Sequence, residues 1–341
     1  MDKKNDQNDE ELYQSFLNES IKDYEKSHKV PEQSQKSLLK AGRNHALRTN
    51  IMISLAVLLL IVPVLTLSSY LYYAIGGKAN HLIEIATKTI YVTEPNMSLE
   101  EMDLEEDIGF FTMNIYFDVF KRIGKEDYKA GKYTVRFALD QPNVPERDMK
   151  LEKPLPVTGD TETDRLYHPD GFYDEKADSD WEILEHLPDG TVGEVYLSLD
   201  RLMKPQELEK QLGKNVEVRW VAVDTGLEAK NLYEAGYSVA PIGYPLQVDT
   251  TTWSPFNGRE KLNDEVFLDI LKFLAKDEKT AEKISRARSL ALKERIPYIE
   301  KHGIRVYGAV VTGPTPELKK LKDNDLIRVM KVGEVKLWNW K

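Results

Sequence analysis

Not one cysteine occurs among the 341 residues. That absence removes disulfide scaffolds, thiol nucleophiles and cysteine-built zinc sites together. It leaves the compartment open, because a cysteine-free chain folds in oxidising and reducing surroundings alike. Positive charge is also short: 47 basic against 57 acidic residues give a net charge of −10. That is the wrong sign for gripping a phosphate backbone, so no direct nucleic-acid partner is expected. The six histidines (28, 45, 81, 168, 186 and 302) are scattered, and none has a second histidine one helical turn away.

Catalytic signatures are missing too. There is no G-x-S-x-G, H-E-x-x-H or calcium-loop pattern. Gly124 with Gly131-Lys132-Tyr133 has the wrong interval for a phosphate loop and lacks the hydroxyl that would hold magnesium. Ser37-Leu38-Leu39-Lys40 spells S-x-x-K without its companion motifs, and His168-Pro169-Asp170-Gly171 reads as a turn. The acids Glu100, Glu101, Asp103, Glu105, Glu106 and Asp107 read as a solvated face. The expectation is a non-enzyme with no cofactor and no metal.

What the chain does contain is one long uncharged run. Residues 51–75, IMISLAVLLLIVPVLTLSSYLYYAI, hold no ionisable acid or base. As a helix they would extend about 37 Å, enough to cross a hydrocarbon core of about 30 Å. Pro63 is tolerated better in a membrane helix than in a soluble one. Tyr70, Tyr72 and Tyr73 suit the headgroup region, and Gly76-Gly77 ends the helix. A predominantly polar stretch of fifty residues comes first, so the run reads as an uncleaved anchor and not a signal peptide. Residues 36–50 carry Lys36, Lys40, Arg43 and Arg48 with no acid, whereas 76–90 carry Lys78 and Lys88 offset by Glu84. The basic side stays in the cytoplasm. The expected division is 1–50 cytoplasmic, 51–75 transmembrane and 76–341 extracytoplasmic, with 140–182 a Pro-, Asp- and Gly-rich loop or insertion.

The cytoplasmic segment is too short to bury a core alone. A helix from about Asp9 to Lys29 is predicted, opened by a capping box of Asn8 and Glu11. Leu12, Tyr13, Phe16, Leu17, Ile21 and Tyr24 recur at spacings of three and four and form an apolar stripe. Two uses fit: packing on the membrane surface or on residues 32–48, and docking another protein. The surrounding acids favour the second, since they would repel an anionic leaflet.

Outside, strands are expected at Ile83–Thr93, Phe110–Phe117, Tyr133–Ala138, Gly193–Leu199, Val216–Val223, Arg305–Thr312 and Leu326–Leu337. Helices are expected at Asp264–Lys276 and before His302, with Gly303 as its cap. Residues 194–223 and 305–335 share an order: Val-Tyr strand, Pro, Glu-Leu helix, strand. They are either pseudo-symmetric halves or a chance convergence of a short pattern. The fold class is α+β: one transmembrane helix joins a short helical segment to a mixed α/β domain.

Several stretches resemble a known family: SSYLYYAIGGK (68–78), LPDGTVGEVYLSLDR (187–201), PIGYP (241–245), LKFLAKDEKTAEKIS (271–285), YIEKHGIRVYGAVVTGPTPEL (298–318) and VGEVKLWNW (332–340). They are similar to membrane-anchored anti-sigma factors that restrain the extracytoplasmic-function sigma factor M. The resemblance covers the end of the span and most of 185–341, and it does not extend to residues 1–47. It implies that the cytoplasmic segment sequesters a sigma-M-like sigma factor at the cell membrane. It further implies an outer domain that senses envelope stress, and a second small membrane co-regulator. The stripe from Leu12 to Tyr24 is then the sigma contact. The alternative is an envelope-assembly or wall-polymer-binding protein with no sigma partner, in which 1–50 is only an anchor.

Overall fold

A computed structural model describes residues 3–27, 31–99, 105–149, 166–171, 179–230, 239–247, 254–257 and 260–340. The chain divides into two compact units, 1–65 and 66–341. The first holds helix α1 (Lys3–Ser27) and most of α2 (Glu32–Ala74). Because α1 begins at Lys3, Asn8 and Glu11 lie inside the helix and form no cap. The expected capping box at Asn8 and Glu11 is therefore absent, because the helix starts five residues earlier. Residues 28–30, where the helix was expected to end, lie outside the described residues. Among the described residues there is one helical run long and apolar enough to cross a membrane, with a mean hydropathy of 2.7 over its best window.

In the second unit, Gly76 and Gly77 break the helix with φ of +70° and +68°, a conformation that costs glycine little. Helix α3 (Lys78–Thr93) follows, and nine consecutive residues from Ile85 to Thr93 are buried. It replaces the strand expected at Ile83–Thr93. Its isoleucines, valine and threonines favour strands locally, but Leu82, Ile85, Ala86 and Ile90 keep helical spacing and enter the core. Packing overrides propensity here.

Two antiparallel sheets form the body. The first is built on the long hairpin β3 (Thr112–Ile123) and β4 (Glu126–Ala138). Strands β1 (Met97–Leu99) and β2 (Glu105–Ile108) pair with β3, and β5 (Gln141–Pro142) and β6 (Glu146–Met149) with β4. The strand expected from Phe110 starts at Thr112, because Gly109–Phe111 make the turn into it. Residues 105–107 of the acid run are an exposed edge strand.

The second sheet contains β7 (Thr191–Met203), β8 (Glu217–Val223), β9 (Gly243–Pro245), β10 (Val306–Pro314) and β11 (Ile327–Leu337), in the order β11-β7-β10-β8-β9. Helix α4 (Trp181–His186) precedes β7; strands β7 and β8 are joined by α5 (Pro205–Leu212), and β10 and β11 by α9 (Thr315–Lys320). Each joined pair is parallel with an antiparallel strand between, the split β-α-β arrangement. Both helices start at a proline-containing first turn, where a missing N–H costs nothing. Every residue of β10 is buried. Alternate side chains feed two clusters: Val195, Leu197 and Val221 join the main core, while Tyr196, Trp220 and Ala222 join a smaller one with Tyr307. That double coverage explains why these strands read as continuous apolar runs. Helix α6 (Asn263–Leu274) packs its expected face, Val266 to Leu274, into the core. Helix α7 (Glu278–Ser285) was not foreseen, and α8 (Leu292–His302) ends at Gly303 with φ +73°.

Candidate functional site

The stripe residues all lie on α1 and are all exposed: Leu12 58%, Tyr13 65%, Phe16 62%, Leu17 40%, Ile21 48% and Tyr24 66%. At 3.6 residues per turn they cover roughly half of the helix circumference. Ser15 and Asn18 lie on the opposite side. Such a wide apolar face normally seats against a core. Glu10, Glu11, Glu19 and Asp23 are also exposed and make the flanks acidic. The face offers non-directional affinity, and the acids offer selectivity for a basic partner.

Other sequence candidates resolve into structural roles. The Ser37 hydroxyl donates to the Ser34 carbonyl at 2.9 Å, occupied by its own helix. Among the described residues, no group of three or more His, Asp or Glu could hold a metal ion. The 168–171 segment is a turn, closed by Gly171 N–H on the His168 carbonyl at 3.0 Å. Arg328 donates to the carbonyls of His168 (2.8 Å) and Pro169 (3.0 Å) and clamps it onto β11.

That turn also delivers His168 to a buried network that sequence reasoning missed. His168 Nε2 lies 3.4 Å from Asp224 Oδ1. The Tyr298 hydroxyl donates to Asp224 Oδ2 at 2.9 Å and the Gly226 N–H to Oδ1 at 3.0 Å. Burial pushes the Asp224 carboxyl up, but the nearby His168 ring and hydrogen bonds from Gly226 and Tyr298 outweigh it and hold the pKa below the ordinary 3.8. Asp224 therefore contributes stability above pH 3.8 that is lost as pH falls through its lower folded value. Replacing Asp224 with Asn is expected to lower stability by about 1–3 kcal/mol at neutral pH. The gap from wild type should close on acidification below that point in denaturant titrations. A gap independent of pH would contradict the network's charged state.

A second buried cluster joins the two sheets. Lys121 (β3) and Glu194 (β7) are both fully buried, with Nζ 3.1 and 3.2 Å from the two carboxylate oxygens. Lys121 also donates to the Tyr196 hydroxyl at 3.0 Å, and Asn96 Nδ2 to Glu194 at 2.7 Å. The Glu334 N–H adds a 3.3 Å contact to Glu194. The signal for Lys121 was present: it follows Met113, Ile115, Phe117 and Val119 in strict alternation, on the inward face of the strand.

A span-bearing chain with an exposed amphipathic helix at one end and an α+β body at the other has the layout of a membrane-tethered regulator. Two family profiles match it: "Sigma factor regulator N-terminal" over residues 36–128 and "Sigma factor regulator C-terminal" over 184–334. The chain belongs to this family of anti-sigma, negative transcription regulators, and it is anchored in the membrane. The chain is similar to the "Probable anti-sigma-M factor YhdL" of Bacillus subtilis (strain 168), with 33% identity over 338 residues. The match covers 97% of this chain and 91% of that protein. No solved structure matches the chain. Membership in a family of regulators disfavours the wall-polymer alternative. Neither profile reaches residues 1–35, but the alignment to the relative covers 97% of the chain and so takes in most of residues 1–47, where the resemblance was not expected to extend.

Proposed function

We propose that α1 is the sigma-binding element, presented in the cytoplasm by the anchor, and that its partner is an extracytoplasmic-function sigma factor of the sigma-M kind. The observation that carries this reading is the exposure of all six stripe residues on one helix. Residues 1–50 would hold sigma away from polymerase, and 76–341 would form the outer sensor, with a second small membrane protein as co-regulator. Envelope stress is the proposed trigger. Moving sigma from 99% bound to 1% bound needs about 5.5 kcal/mol, so the trigger must disrupt the docking face itself or displace its occupant. The outer domain's two strand–helix–strand units are read as pseudo-symmetric halves. Exchanging β7 with β10 and β8 with β11 leaves the order β11-β7-β10-β8 unchanged, which supports that reading.

The orientation rests on four basic residues before the span against two after it. Protease added outside intact protoplasts should remove the large C-terminal domain and leave a small protected fragment on an N-terminal immunoblot. Protection of the large domain would place α1 outside the cell and end the sigma-docking reading.

A further inference from the structure

The last ten residues of the uncharged run belong to the same compact unit as the two sheets, and two of them are fastened to sheet turns. Ser69 and Tyr73 are one helical turn apart, share a face and are fully buried. Ser69 Oγ accepts the Phe111 N–H at 2.8 Å. The Tyr73 hydroxyl lies 3.1 Å from the carbonyl oxygens of both Phe111 and Leu139. Ser69 precedes the end of the run at Ile75 by six residues, about 9 Å along the axis. For a bilayer whose outer boundary lies at Ile75, groups bonded there reach the headgroup and acyl boundary.

The two turns are built for that depth. Phe110 and Leu139 point large apolar side chains outward, 53% and 42% exposed. Phe111 and Leu139 hold φ of +50° and +58°, where glycine or asparagine is usual and bulky apolar residues are rare. The turn backbones are paired: Leu139 N–H donates to the Phe111 carbonyl at 2.8 Å and Gly109 N–H to the Thr112 carbonyl at 2.9 Å. Lipid-facing backbone requires such pairing. Beside them, Lys78 Nζ lies 3.9 Å from the Tyr72 ring centre, and that ring meets Phe111 edge-on at 6.4 Å. Tyrosine rings and long lysine side chains both favour the membrane–water interface, and here a cation meets a ring.

We propose that the tip formed by Phe110 and Leu139 enters the lipid boundary beside the span, so that the β3–β4 sheet rests on the bilayer. The occupant is the acyl and glycerol layer of lipid, continuous with the lipid around Tyr70 and Leu71, which are 51% and 50% exposed. Charge attraction plays no part, since Asp140 and the acids of β2 lie close by in the chain.

The absence of cysteine makes the test direct. Single Phe110→Cys and Leu139→Cys variants of the full chain, labelled with an environment-sensitive fluorophore, are reconstituted in phosphatidylcholine vesicles carrying a shallow spin-labelled lipid quencher. Leu71→Cys serves as the lipid control, and Leu337→Cys, 82% exposed, as the water control. The expected result is blue-shifted, lipid-quenched emission at 110 and 139, matching 71 and unlike 337. Emission at 110 and 139 that matches 337 while 71 is quenched would overturn the proposal and leave membrane anchoring intact. Blue-shifted emission without lipid quenching would also overturn it, because protein would then cover the tip. Near-ultraviolet dichroism confirms that each labelled variant is folded.

Discussion

Replacing Leu12 and Phe16 together with Asp is expected to release sigma activity in cells while the amount of membrane-inserted protein stays unchanged. The two side chains are four residues apart on one face of α1 and are 58% and 62% exposed, so neither supports a core. Burying each against a partner is worth about 1.5–3 kcal/mol, and a carboxylate in its place adds a desolvation cost. The pair should weaken binding by at least a factor of about 100, on the scale of 1.4 kcal/mol per decade. The charge-matched control is Ser15→Asp with Asn18→Asp, on the opposite side of the same helix. That pair adds the same negative charge and should matter little. Equal release by both pairs would mean that charge carries the contact and not apolar docking. Release by neither, with the protein abundant, would move the contact to residues 32–48.

The second large effect concerns stability. Lys121→Met should destabilise the 66–341 unit by about 3–5 kcal/mol, because it leaves the Glu194 carboxylate buried without its cation. For a unit of this size, that corresponds to a fall in melting temperature on the order of 10 °C. The detergent-solubilised full chain, followed by tryptophan fluorescence, reports it. Adding Glu194→Gln should recover part of the loss, since the uncompensated charge is then gone. A single-variant change below about 1 kcal/mol would place the pair among surface ion pairs, against its complete burial. Because the pair ties β3 to β7, its loss should loosen the join between the sheets before either sheet melts.

What could be read from the sequence follows from how locally each feature is encoded. The apolar stripe on α1 and the span need only periodicity and length, and both are visible within a few turns of chain. Strands β8, β10 and β11 carry apolar runs bounded by breakers, and the Gly303 cap needs only its own dihedral. Helix α3 reads as a strand because its β-branched composition speaks for one, while its burial pattern, fixed by the fold around it, speaks for a helix. By sequence Tyr73 belongs with Tyr70 and Tyr72 as a headgroup anchor. Its hydroxyl instead reaches Phe111 and Leu139, contacts 38 and 66 residues away that no local pattern announces. The Lys121–Glu194 pair was half legible: the inward register marks Lys121, but its partner lies 73 residues on in another sheet. The stripe on α1 is legible because its spacing of three and four lies within one helix, and its six residues stay exposed.

The sigma contact itself is tested by immobilising residues 1–50 and, in parallel, residues 76–341, and offering each a panel of purified extracytoplasmic-function sigma factors from the same cell. The account predicts that the 1–50 segment retains one of them, that the Leu12→Asp, Phe16→Asp version of the segment does not, and that the outer domain retains none. Retention of a sigma factor by residues 76–341, or by neither bait, would contradict it.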